Sequence, residues 1–305
     1  MKSKFIFVLL GTALLLPACG GGDKVKAPKN ANTGLSQQQT SNTDSIVKTS
    51  ASSRTRDELL FLILKAEMAA QGNQLKVSVA AYLEAAEYSS DARIAERATR
   101  VASFARDYKS ALLAAERWSE LQPDKLDVYH SLIILYVRNK QVDNAVAAVD
   151  NVLRLTQKSK VQGFSHLIAL LNKEADQKTV MQLMDRVTTK YSDNPESYFA
   201  SARLSFQFKQ YDRAQNAIGQ ALKLNPDMET AQSLQARVYM FQGESNKALA
   251  IMEVLVKKHP DSIVHRSSYA RLLAVAKHYD SALVQFKQVL KVDLKTQMFY
   301  MRWHC

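Results

Sequence analysis

Small and apolar residues recur at intervals of three and four along residues 57–294, the spacing of one buried helical face. Each run is short and ends at a polar or turn-forming break. The pattern predicts helices at residues 59–70 and 77–88, with Gly72-Asn73 between them, and at 92–105 and 108–121. It continues in the same form to the end of the patterned region. Residues 20–56 lack it. Gly20-Gly21-Gly22, the Gln37–Thr40 run and the Ser/Thr/Asn-rich stretch after it bury too little apolar surface to offset the entropy of ordering them.

The runs repeat. Ala202-Arg203-Leu204, Ala236-Arg237-Val238 and Ala270-Arg271-Leu272 lie 34 residues apart, as do Ala214, Ala248 and Ala282, and as do Pro226 and Pro260. A period of 34 residues holding two short helices resembles the tetratricopeptide repeat. The implied fold class is all-α: a TPR helix-turn-helix solenoid wound as a right-handed superhelix, with about seven repeats in residues 57–294 and a concave groove lined mainly by the first (A) helices. The fourth repeat, with helices expected at 164–172 and 176–191, departs from the pattern. Val180 stands where alanine is usual, and Ala145 to Ala214 is 69 residues, one more than two periods.

The N-terminus predicts export. Lys2 and Lys4 precede an apolar run too short for an ordinary membrane span, which makes residues 1–18 a signal peptide. Leu16-Pro17-Ala18-Cys19 resembles a bacterial lipobox, which implies lipid attachment at Cys19, with 19–56 as a disordered tether. Gly20, where Asp commonly marks inner-membrane retention in that class of lipoproteins, implies the periplasmic face of the outer membrane. Several acyl chains make such an anchor stable.

Composition narrows the function classes. The formal net charge is +12, with basic residues scattered over many helices. This suits a solvated basic surface or acidic partners. No nucleic-acid motif is present, so nucleic acid is not an expected partner. The two cysteines, Cys19 and Cys305, lie outside the repeats and provide no disulfide framework. There is no HExxH, GxSxG or phosphate-binding glycine loop, and the histidines show no metal-ligand spacing. The chain reads as a binding scaffold, with no catalytic residue, metal or cofactor expected.

The candidate site is in the groove. Arg203, Arg237 and Arg271 occupy one place in three successive A helices, and Arg100 takes a similar place in repeat 2. Phe199, Ser233 and Ser267 stand one turn earlier, and Phe206, Met240 and Ala274 one turn later. An arginine ladder beside Phe199 and Phe206 suits carboxylate ligands, which guanidinium binds bidentately. In tetratricopeptide domains that clamp peptide C-termini this place commonly touches ligand, although the asparagines and lysine of that clamp are missing here. The competing expectation is that these arginines pair with acidic neighbours on adjacent helices.

A narrower resemblance rests on Ala66-Glu67-Met68-Ala69, Tyr82-Leu83-Glu84-Ala85-Ala86, Ile94 to Arg100 and Trp118 to Asp124. These stretches resemble the opening of the LbcA-type outer-membrane lipoproteins. That resemblance implies an adaptor that binds a periplasmic carboxyl-terminal processing protease and presents substrates such as cell-wall hydrolases. The same architecture also serves lipoprotein subunits of β-barrel assembly and of type IV pilus or secretin biogenesis. Residues 295–305 lose the repeat pattern without a polar capping face. This predicts either an array cut short or an apolar tail folded back on repeat 7.

Overall fold

The computed structural model describes residues 43–157 and 160–304. The chain divides into two units, Met1–Thr49 and Ser50–Cys305, and the second carries the helical array. The signal peptide, Cys19, most of the expected tether and Cys305 lie outside the described residues.

Fourteen helices and no strand occur among the described residues. They form seven A–B pairs. Repeat 1 is α1 (Thr43–Gln71) and α2 (Leu75–Tyr88), repeat 2 is α3 (Ala92–Phe104) and α4 (Tyr108–Leu121), and repeat 3 is α5 (Leu126–Arg138) and α6 (Val142–Leu155). Repeat 4 is α7 (Lys160–Leu171) and α8 (Gln177–Lys190), and repeat 5 is α9 (Pro195–Gln207) and α10 (Tyr211–Leu224). Repeat 6 is α11 (Glu229–Phe241) and α12 (Ser245–Lys258), and repeat 7 is α13 (Ile263–Val275) and α14 (Tyr279–His304). From α3 onward each A helix packs on its own B helix or on the next repeat, and α9, α11 and α13 lie side by side in chain order.

Two ends differ from the sequence expectation. Helix α1 starts at Thr43, so residues 43–56 are helical rather than tether, and α14 carries residues 295–304 as an unbroken continuation. Neither stretch contains a glycine or proline to stop a helix.

The turn inside six of the seven repeats has a common cause. Asn73, Arg106, Lys140, Lys209, Gly243 and Lys277 all have positive φ, between 57° and 85°. Each follows an A helix and closes it in the same way. In repeat 5, Lys209 N–H donates to Phe206 C=O at 3.0 Å and Gln210 N–H to Ser205 C=O at 2.8 Å. These bonds satisfy carbonyls that the helix end would leave orphaned. A left-handed residue with a side chain costs about 1–2 kcal/mol, and glycine escapes that cost while losing about 0.5–1 kcal/mol to its freer unfolded chain. The triple variant Lys140→Gly/Lys209→Gly/Lys277→Gly is therefore expected to be more stable by about 1–3 kcal/mol. Its denaturation midpoint is the readout, and an unchanged midpoint refutes the strain assigned to these turns.

Repeat 4 lacks this turn. Its A and B helices are joined by residues 172–176, two more than the 208–210 of repeat 5, while α7 is one residue shorter than α9, so the one inserted residue of the 69-residue interval falls at this end of α7 and its turn. The longer turn is tied down by Glu174, whose carboxylate accepts two bonds from Arg138 at 2.8 and 2.9 Å. Arg138 in turn lies 4.7 Å over the ring of Tyr108, so one guanidinium links repeats 2, 3 and 4.

The core follows the small residues. Ala111, Ala145, Ala202, Ala214, Ala236, Ala248 and Ala270 are wholly buried where helices cross closely. In repeat 4 the crossing uses Gly163 instead. A Cβ there would come within 2.5 Å of a Leu153 methyl and 2.7 Å of the Thr156 hydroxyl. Bulk lost at that glycine is replaced by Phe164, Leu167, Leu171 and Val180, all buried. The largest apolar cluster runs from Ala66 to Leu204, while repeats 5 to 7 are held by three smaller ones.

Candidate functional site

The groove residues take their places from helix register. Arg203, Arg237 and Arg271 are each the ninth residue of their A helix, counted from Pro195, Glu229 and Ile263. The alanine before each is wholly buried, which turns the arginine to the neighbouring, more open face. Arg203 and Arg271 are exposed and Arg237 is half-buried.

The three behave as one electrostatic group. The proton affinity of Arg237 is held below the ordinary arginine value by burial first, then by the positive charges of Arg203 and Arg271. Among the described residues no carboxylate pairs with any of the three. Arg271 donates to the Ser268 hydroxyl at 3.3 Å. Arginines elsewhere in the array are paired across repeats: Arg97 with Glu67 at 3.0 Å, Arg138 with Glu174 at 2.8 Å, and Arg154 with Asp124 at 3.2 Å. Arg213 also pairs with Asp185. Arg100 pairs with Glu96 on its own helix, which separates it from the ladder.

The aromatic expectation divides. Phe206 joins the site: the Arg237 guanidinium lies 4.5 Å over its ring. Phe206 also meets Phe241 edge-on at 5.4 Å and Tyr211 at 5.8 Å, and Phe241 stacks on Tyr211 at 5.4 Å. Phe241 is 62% exposed, so this cluster opens a large apolar face beside Arg237. Phe199 is half-buried and packs into the core between repeats 5 and 6. Sequence reasoning did not single out Tyr211 and Phe241. Their signal is the place of Phe241, one turn after Arg237 on the same helix.

A second feature lies in repeats 3 and 4. His130 and His166, from α5 and α7, are joined ring nitrogen to ring nitrogen at 2.9 Å. The rings meet nearly end to end, with centroids 4.9 Å apart, so one nitrogen donates to the other. No group of three His, Cys, Asp or Glu side chains among the described residues is placed to hold a metal ion. No described helix is long and apolar enough to cross a membrane.

The histidines set a pH dependence. His130 is held below the usual histidine value by burial first and then by His166, with Asp127 acting the other way. Burial lowers His265 as well; Glu229 opposes this and His259 adds to it. Both bind a proton more readily in the unfolded chain. Their contribution is complete above the unfolded value of about 6.5 and is lost as pH falls through it toward the lower folded values. The melting temperature is expected to drop between about pH 7 and pH 5, and His130→Gln/His265→Gln to flatten that drop. Equal slopes in thermal melts of the two proteins contradict this.

Residues 205–275 match the family model described as tetratricopeptide repeat. A TPR repeat-containing protein of Pseudomonas aeruginosa is 27% identical over 225 residues, which is 70% of this chain and 36% of that protein. The chain therefore spans about a third of the length of the curated relative it matches. Among solved structures, a tetratricopeptide repeat protein from Parabacteroides merdae is 12% identical, covering 77% of this chain and 93% of its own, with a TM-score of 0.40. Yeast Tom70 is 11% identical over 79% of this chain and 77% of its own, with a TM-score of 0.39. The fold of this chain is an all-α solenoid of the tetratricopeptide type, and its residues 205–275 match the family model of that repeat.

Proposed function

We infer that this chain is a periplasm-facing adaptor, anchored through Cys19 to the outer membrane, that captures protein partners on the wall formed by repeats 5 to 7. The observation that carries the reading is the set of three arginines in one helix register with no carboxylate partner, the middle one, Arg237, lying over the Phe206 ring. A scaffold that needed them only for stability would pair them, as it pairs Arg97, Arg138 and Arg154. An anionic partner supplies the missing counter-charge. With the LbcA-type resemblance in repeats 1 and 2, the partners are a carboxyl-terminal processing protease and substrates such as cell-wall hydrolases.

Affinity capture from detergent-solubilised envelope tests this. The expected catch is the protease together with hydrolases. A barrel insertase or a secretin in its place assigns the chain to envelope assembly instead.

A further inference from the structure

The ninth position of the A helices changes character along the array. From repeat 3 to repeat 7 it reads Ile134, Ile168, Arg203, Arg237, Arg271. The two isoleucines are half-buried, so each still offers apolar surface. Equivalent places in successive A helices form one line, because α5, α7, α9, α11 and α13 each contact the next. One line of the array is thus apolar over two repeats and cationic over the next three, with the border at α9.

We propose that the occupant of this line is an extended peptide with acidic side chains at every third residue, continued at one end by apolar residues. The proposal builds on the adaptor reading and specifies what that partner presents. Adjacent packed helices stand about 8–10 Å apart, and α9, α11 and α13 are neighbours, so that is the step between the helix positions that carry the arginines. A polyproline-II segment advances about 3.1 Å per residue and returns to the same face every third residue, a step of about 9 Å. A β-strand turns every third residue to the opposite face and does not fit. Arg237 lies flat along Phe206 instead of standing out, so its reach is short. An extended main chain can lie close to such a wall, whereas a helical ligand holds its axis about 5–6 Å away. The carboxylates at each step meet Arg203, Arg237 and Arg271, and the apolar continuation covers Ile168 and Ile134.

Fluorescence anisotropy with the full chain tests this. The labelled peptides share one composition: three aspartates at spacing three, two or seven, with or without a terminal apolar stretch, and an Asp→Asn control. Spacing three is expected to bind at least about tenfold more tightly than spacing two, and the apolar stretch to add about tenfold more. Arg203→Gln, Arg237→Gln and Arg271→Gln are each expected to weaken the spacing-three peptide, with the circular dichroism of the array unchanged. Equal affinities at all spacings, still lost in the arginine variants, overturn the register while leaving the adaptor reading in place. Tighter binding at spacing seven overturns the extended ligand in favour of a helix. Tighter binding of inorganic tripolyphosphate overturns the peptide. If no acidic peptide binds although the envelope partner is still captured, the acidic segment falls and the adaptor reading stands.

Discussion

Reversing Arg203, Arg237 and Arg271 to glutamate together is expected to weaken capture of the acidic partner by about 100-fold or more, with the array still folded. A hydrogen bond to a charged group is worth about 1.5–3 kcal/mol, and three that act on one ligand are not additive. A combined loss of about 3–4 kcal/mol is a conservative figure, and each 1.4 kcal/mol is a factor of ten. The effect on folding is small. Arg203 and Arg271 are exposed and unpaired, so their loss leaves no buried partner behind. Arg237 loses its position over Phe206, a contact worth about 0.5–1 kcal/mol at a partly exposed site. Three glutamates repel one another as the three arginines did, so that contribution is about the same in both proteins. The net change in stability is expected to stay within about 1 kcal/mol. The same charges predict that affinity of the native protein falls as salt rises, because exposed charges are screened within about 10 Å at 0.1 M. Titration of the captured partner against native and reversed protein, beside thermal melts of both, decides the matter. Undiminished capture refutes the role given to the arginines.

Phe164→Ala is expected to have the largest effect on the fold itself, about 3–5 kcal/mol. Phe164 heads the wholly buried large side chains, at 1% exposed, and meets Tyr191 edge-on at 6.0 Å. It sits in repeat 4, next to Gly163, where α7 comes close to Leu153 and Thr156 at the end of α6. It also belongs to the cluster that runs unbroken from repeat 1 into repeat 5. In an array where each repeat leans on its neighbours, a weak interface in the middle uncouples the two sides. The variant is expected to melt in two steps, with repeats 5 to 7 separating from the larger cluster. Phe241→Ala, which removes a ring that is 62% exposed but meets Phe206 and Tyr211, is the control and should lose about 1–2 kcal/mol in a single transition. A single, undisplaced transition for Phe164→Ala would mean that repeat 4 is not the joint between the halves.

Much of the array is legible from residue spacing. The helices at 108–121 and 92–105 come out at, or within one residue of, their expected bounds, because turn residues and small residues mark both the ends and the buried face. The alanines of the 34-residue register are buried as close crossings require. Three features escaped. The inserted residue of repeat 4 shows in the sequence only as a broken interval. Its location between α7 and α8 depends on which of two neighbouring turns yields, and the Arg138–Glu174 bonds decide that. The turn residue in the six repeats other than the fourth is Asn, Arg, Lys or Gly, so composition hides a conformation that all six share. The His130–His166 bond joins residues 36 apart, where no local pattern operates.

For the groove the division is similar. The sequence by itself determined that Arg203, Arg237 and Arg271 share one helix position, because a fixed period with a fixed helix start leaves no other arrangement. It did not determine what they face. Two expectations were open, an acidic partner on a neighbouring helix or an unfilled wall, and both are compatible with the same spacing. Tertiary structure decided it through lateral packing. In repeats 6 and 7 the carboxylates meet other cations, Asp227 and Glu229 with Lys258, Glu229 with His259 and His265, Glu244 with Lys247 and Glu253 with Lys257, and Phe206 takes the place beside Arg237. Periodicity aligns residues along a wall, but which side chains meet across it is set by how neighbouring helices pack and by which partners lie within a few ångströms.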